Sequence, residues 1–156
     1  MLRSLEQERA NYAWERIQAI KGDIDLEDKY KSYVRSASTY IQTNGLGNTL
    51  AFYKSKFEAD LKKKTEELKK EGVSEKRAYE EAFNKLSADK KAYRLLYAHI
   101  DGWFKKHYKI NKEILEWVIS KDTSSIKVFQ VTIEIISLLN WMKRFAEAEL
   151  RDKRSE

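Results

Sequence analysis

Apolar side chains recur at helical spacing along nearly the whole chain, and no segment alternates as a half-buried strand would. Ser4 with Gln7 forms a capping-box start, and the first helix runs to about Lys21, before Gly22. Its inner face is Ala10, Ala13, Trp14, Ile17 and Ile20, with Arg9, Tyr12 and Arg16 on the neighbouring stripe. Asp25 opens a second helix whose inner face is Leu26, Tyr30, Tyr33, Val34, Ala37 and Ile41, while Lys31 and Arg35 point the other way. Asn44-Gly45 stops it, because both residue types tolerate positive φ. The next helix starts at once, at Gly45 or Gly47, with Leu46, Leu50, Tyr53 and Phe57 along one face. It runs to Glu71, where Gly72 ends it, and its second half from Lys62 to Lys70 holds one apolar residue, Leu68. That half predicts a solvated helix projecting beyond the core.

Ser74 caps a short helix carrying Tyr79, Phe83 and Leu86, and Ser87 or Asp89 begins a longer one through about His107. Asn111 caps another short helix with Ile114, Leu115 and Val118. The last helix spans Thr123 to about Lys153. Val128, Val131, Ile135, Leu138, Leu139, Met142, Phe145 and Ala146 occupy one sector of it, and Ile126, Phe129, Ile133 and Ile136 a second. A helix apolar over two sectors is either wholly buried or shared with a partner. The expected fold is all-α, a single-domain bundle of about six to seven helices over residues 1–156, with residues 62–92 a variable, solvated helical extension.

Composition sharpens this picture. The 156 residues are enough for one domain with a core of its own, and the absence of proline fits helices with short connections. Absence of cysteine removes disulfides, thiolate catalysis and cysteine-based zinc sites. Acidic residues near the N-terminus, with no apolar signal segment and no long uncharged run, lead to the expectation of a cytoplasmic protein outside the membrane. High Lys and Glu with few Met fit heat adaptation. The net charge of +6 is unevenly spread. Residues 1–45 hold 7 basic against 7 acidic side chains and residues 110–156 hold 8 against 8, so the excess lies between them. Such a balance permits RNA as a partner without demanding it.

Enzymatic chemistry has little to stand on. His99 and His107, the two histidines, are about 12 Å apart along one helix, too far to share a metal. The expected arrangement is a packed His99 and an exposed His107. Gly45-Leu46-Gly47 follows a helix and lacks a phosphate-loop pattern. No carboxylate pair stands out, so the chain reads as no enzyme, with no metal, cofactor or small-molecule substrate. Arg9-Tyr12-Arg16, Lys31-Arg35 and Lys143-Arg144 are the basic groups suited to phosphate, with Arg9, Arg16, Arg35, Lys143 and Arg144 as candidate nucleic-acid contacts. Against that stands simple pairing of each with a nearby carboxylate. No stacking platform is recognisable, because most aromatics fall on core faces. Trp141 shares a polar stripe with Lys127, Gln130, Glu134, Ser137 and Arg144, and is either an interface anchor or partly buried under a neighbouring loop. Phe52 lies off its helix's apolar stripe and raises the same question.

Four segments carry a resemblance. They are Leu5-Glu6-Gln7-Glu8-Arg9 with Tyr12-Ala13, Ile41 through Tyr53, Leu96-Tyr97-Ala98-His99-Ile100 with Trp103, and Leu138 through Ala146. In this order they resemble the small α-helical subunit of type III-B CRISPR (Cmr) effector complexes over nearly the whole chain, residues 62–92 excepted. The resemblance implies a non-catalytic subunit that stacks in several copies along the guide–target RNA channel, in antiviral defence. Its partners would be the backbone and large subunits, further copies of itself, and the RNA backbone. By position, Arg35 and Lys143-Arg144 fall where the family places basic residues, and Arg9 falls in the matching opening. Where many members have proline soon after the second-helix basic residue, this chain has Ser38. The alternative is a stand-alone helical adaptor that binds proteins without nucleic-acid contact.

Overall fold

The structure, a computed structural model, describes residues 2–155. Among them are eight α-helices and no strand: α1 (Leu5–Gln18), α2 (Ile24–Asn44), α3 (Leu46–Ser55), α4 (Glu58–Lys70), α5 (Glu75–Asn84), α6 (Ala88–Tyr108), α7 (Ile114–Ile119) and α8 (Ser125–Glu149), followed by a 3₁₀ turn at Lys153–Ser155. The all-α expectation holds, with one helix more than its upper figure.

The starts follow local chemistry. Ser4 Oγ accepts from the Gln7 amide at 3.1 Å while Gln7 Oε1 accepts from the Ser4 amide at 2.9 Å, completing the capping box. Asp23, two residues earlier than the expected opening, caps α2 by accepting from the amides of Asp25 and Leu26. Gly45 sits at φ +86° and ends α2 while its carbonyl begins α3, accepting from Thr49. The tight turn read from Asn44-Gly45 is therefore present.

The additional helix comes from a break at Phe57, where one continuous helix to Glu71 was expected. Phe57 leaves helical geometry (φ −132°, ψ −26°) and buries its ring against Tyr97 of α6, 5.9 Å between centroids. No local signal encodes this; a contact forty residues away does. Beyond it, α4 and α5 fold back as a hairpin that packs chiefly on itself. The hairpin is less solvated than its composition implies: Leu68, Ala78, Ala82 and Leu86 are buried, and its seam uses the two alanines while Tyr79 stays exposed. Asp60 ties it to the body, accepting from Lys64 at 3.0 Å and from Lys90 of α6 at 3.2 Å.

In the body, α6 packs on α2, and α8 packs on α1 and α2. Buried side chains from all eight helices form one cluster, with Trp103, Tyr30, Tyr53 and Phe104 its largest wholly enclosed members. The first sector of α8 is buried at Val131, Ile135, Leu138, Leu139, Met142 and Ala146, with Val128 and Phe145 half-buried. Its second sector is mostly open: Ile126, Phe129 and Ile133 are 70%, 64% and 52% exposed, while Ile136 is half-buried against the core. α1 is rolled relative to expectation. Trp14 is exposed, and Tyr12 is buried instead, donating its hydroxyl to the His99 carbonyl at 2.6 Å and meeting the Trp103 ring at 5.2 Å. Gly102 makes room for it: a Cβ there would lie 2.7 Å from the Tyr12 hydroxyl oxygen.

Candidate functional site

The five candidate cations do not gather into one cluster. Arg9 is engaged at all three nitrogens. Nε and Nη2 donate to Glu134 of α8 at 2.7 and 2.6 Å, and Nη1 donates to Glu6 at 2.9 Å. Its side chain is 13% exposed, and Glu134 is buried and also accepts from Trp103 Nε1 at 3.1 Å. Burial pushes the Glu134 carboxyl up, but the Arg9 and Trp103 hydrogen bonds outweigh it and hold the group below the usual carboxylate range. Glu134 was expected on the polar stripe; it is instead the inner partner of a cross-helix pair. Arg9 thus carries out the pairing alternative. Arg16 lies over the Tyr12 ring at 4.3 Å, with Glu15 at 3.8 Å.

Arg35, Lys143 and Arg144 are closer to one another. Arg35 of α2 reaches α8 through one half-exposed bond to Glu147 at 3.3 Å. Glu147 falls between Lys143 and Arg144 on the circumference of α8, roughly 40° from one and 60° from the other. Lys143 and Arg144 are exposed, and among the described residues no carboxylate lies within 4.0 Å of either. α8 packs on both α1 and α2, and its turn around Lys143 and Arg144 presents an exposed ridge.

Trp141 belongs to the seam between α1 and α8. Its indole donates to Glu6 at 2.8 Å, and its ring meets Phe145 at 5.5 Å, which in turn meets Trp14 edge-on at 5.3 Å. It also lines a shallow groove of about 310 Å³ with Glu6, Ser137, Asn140 and Arg144. Trp141 is half-buried, and its cover is helix α1, where a loop was expected. Phe52 stacks near-parallel to Tyr40 at the junction of α2 and α3, 5.9 Å between centroids and 22° between planes.

His99 is buried as expected. Its Nδ1 shares a hydrogen bond with the Tyr30 hydroxyl at 2.7 Å, and burial lowers its pKa to about 3. His107 is less exposed than expected, stacked at 7° on Trp103 and 3.8 Å from Glu134. Glu27 of α2 is a second buried carboxylate. Glu27 accepts from Arg151 and from the Gly22 amide, clasping the C-terminal segment, and its pKa is lowered to about 2, chiefly by Arg151. Neither Glu27 nor Glu134 carried a signal, because a helix-face acid reads alike whether or not a distant arginine meets it. Among the described residues no three His, Asp or Glu side chains are grouped to hold a metal, and no helix is long and apolar enough to cross a membrane.

Fold and surfaces together define a small all-α protein whose prominent exposed features are cations and uncovered apolar side chains. Residues 5–149 match the family model described as CRISPR-associated protein (Cas_Cmr5), and the chain belongs to that family. It is a small Cmr5-type subunit of type III-B CRISPR complexes, and family membership associates it with the other subunits of a Cmr complex in CRISPR defence.

Proposed function

We propose that this subunit is non-catalytic, stacks in several copies along the guide–target RNA channel, and touches the RNA backbone through Arg35, Lys143 and Arg144. The observation that carries the reading is the unneutralised pair Lys143 and Arg144 on the α8 ridge, with Arg35 held beside it only by one half-exposed bond. Such cations can meet phosphate without first breaking a buried pair, whereas Arg9 cannot. Phosphate contact of this kind is blind to sequence, which suits a channel where base pairing reads the target. The uncovered stripe of Ile126, Phe129 and Ile133 supports the assembly half of the reading, since a contiguous exposed apolar patch marks an interaction surface.

The test replaces Arg35, Lys143 and Arg144 together by alanine in the reconstituted complex. Three lost phosphate contacts flatten the slope of log affinity against log salt by about 2 to 3. Helicity stays unchanged, and glutamate replacements act more strongly. An unchanged slope refutes the phosphate contacts. Divalent-dependent RNA cleavage that co-purifies with this subunit and disappears in a point variant refutes the non-catalytic half.

A further inference from the structure

The surface where α2, α3 and α6 meet holds chemistry that phosphate binding does not use. Tyr33, Tyr40, Phe52, Tyr53 and Tyr93 line a groove of about 200 Å³ there. Tyr33 and Tyr93 are stacked, 3.9 Å between centroids and 14° between planes, and Phe52 meets Tyr93 edge-on at 6.0 Å. Tyr40 and Phe52 remain 44% and 37% exposed. The same two rings also wall a second groove of about 200 Å³, which Asn44, Asn48 and Thr49 complete. A stacked pair of aromatic rings is therefore flanked on one side by phenols and on the other by side-chain amides.

We infer that this aromatic wall takes an unpaired base of single-stranded RNA, stacked on Tyr40 and Phe52 with its polar edge toward the Asn44 and Asn48 amides. The inference rests on the RNA contact proposed above and adds a base to its phosphates. Exposed aromatic faces beside hydrogen-bonding side chains are what an unstacked base requires. Tyr53 adds an independent sign. It is buried, it lines the groove, and its hydroxyl has no hydrogen-bond partner among the described residues. A polar buried atom beside a groove favours a hydrogen-bonding ligand over an aliphatic one.

The charge around the wall is also suitable. Among the described residues no carboxylate lines either groove, and Asp89, which accepts from the Tyr33 hydroxyl, sits behind that ring. Lys56 lies over the Phe52 ring at 5.0 Å on one flank. On the other, Ser32 is shared with an adjoining depression that holds Arg35, Lys31 and Arg154 together with Asp28 and Asp152. Arg35 therefore joins the aromatic surface to the proposed phosphate path. A protein partner fits less well, because the α8 stripe of Ile126, Phe129 and Ile133 has no polar side chain among its members, while this wall is hydroxyl- and amide-rimmed.

The experiment uses the full chain at low salt with a single-stranded RNA 12-mer carrying one 2-aminopurine, the same strand with an abasic site there, and a duplex of equal length. Tyr40→Leu and Phe52→Leu keep apolar volume at exposed positions and remove the ring. Wild type is expected to change the 2-aminopurine fluorescence and to bind the intact strand about ten-fold or more tightly than the abasic one. Each leucine variant loses the fluorescence change and the preference, keeps its circular dichroism, and retains the salt slope. Equal binding of intact and abasic strands by wild type overturns the inference with no variant involved. Leucine variants that bind RNA as wild type does but fail to enter the complex also overturn it, making the wall a protein seat. Failure of the phosphate reading looks different: the Arg35, Lys143 and Arg144 triple variant then keeps its slope while the base preference persists.

Discussion

Replacing Glu134 by alanine separates a structural from an RNA-facing role for Arg9. The carboxylate accepts two short bonds from Arg9 and one from Trp103, and all three vanish together. Breaking a buried pair by removing one partner costs about 3–5 kcal/mol. Arg9 keeps its bond to Glu6 and retains some access to water, so the lower end applies, about 3 kcal/mol. With a urea m-value of about 2 kcal/mol/M, the unfolding midpoint should fall by about 1.5 M, followed by circular dichroism. Arg9→Ala should cost a similar amount, because it strands the buried carboxylate. The double variant Arg9→Met/Glu134→Leu should recover most of the loss, since well-packed apolar replacements of a buried pair are often neutral. Arg9→Ala should leave the salt dependence of RNA binding by the complex unchanged. A loss below about 1 kcal/mol for Glu134→Ala, or a flattened salt slope for Arg9→Ala, refutes the reasoning.

Three further outcomes follow from the same geometry. Gly102→Ala places a methyl 2.7 Å from the Tyr12 hydroxyl oxygen in a buried seam, so it should destabilise by about 1–3 kcal/mol and weaken the near-ultraviolet dichroism of Tyr12 and Trp103. His99 has a folded-state pKa below its unfolded value, so the unfolded chain takes the proton first. Its stability contribution is full above about pH 6.5 and falls by up to about 1.4 kcal/mol per pH unit toward pH 3. His99→Gln should remove that part of the slope in acid unfolding curves, leaving the Glu27 contribution, which is present above about pH 4.5 and lost toward about pH 2. Serine at Ile126, Phe129 and Ile133 together should leave the thermal midpoint within a few degrees of wild type while reducing incorporation into the Cmr complex by ten-fold or more, read by quantitative pull-down.

What could be read from the chain was whatever depends on residues within one or two helical turns of each other. The Ser4–Gln7 box, the Gly45 turn, the inner face of α2 and the long sector of α8 are all local patterns, and all recur in the structure. The second apolar sector of α8 was visible too, as a choice between burial and a partner. In the chain alone most of it is exposed, with Ile126, Phe129 and Ile133 open and Ile136 half-buried.

Sequence by itself determined the all-helical class, through unbroken 3.6-residue periodicity, and the family, through four ordered segments that residues 5–149 bear out. Tertiary structure alone decided which charges are neutralised and which rings are exposed. Arg9 and Arg144 are both candidate phosphate contacts in the sequence, yet one is held by Glu134, 125 residues away, and the other has no carboxylate within 4.0 Å among the described residues. Tyr40 and Phe52 come from different helices, and their stacking exists only because Gly45 folds α3 back beside α2. The helix break at Phe57 and the roll of α1 about Tyr12 have the same origin, a ring seated against a distant helix. Periodicity fixes the face a side chain takes on its own helix. Packing, which sums contacts far apart in the chain, fixes what that face meets.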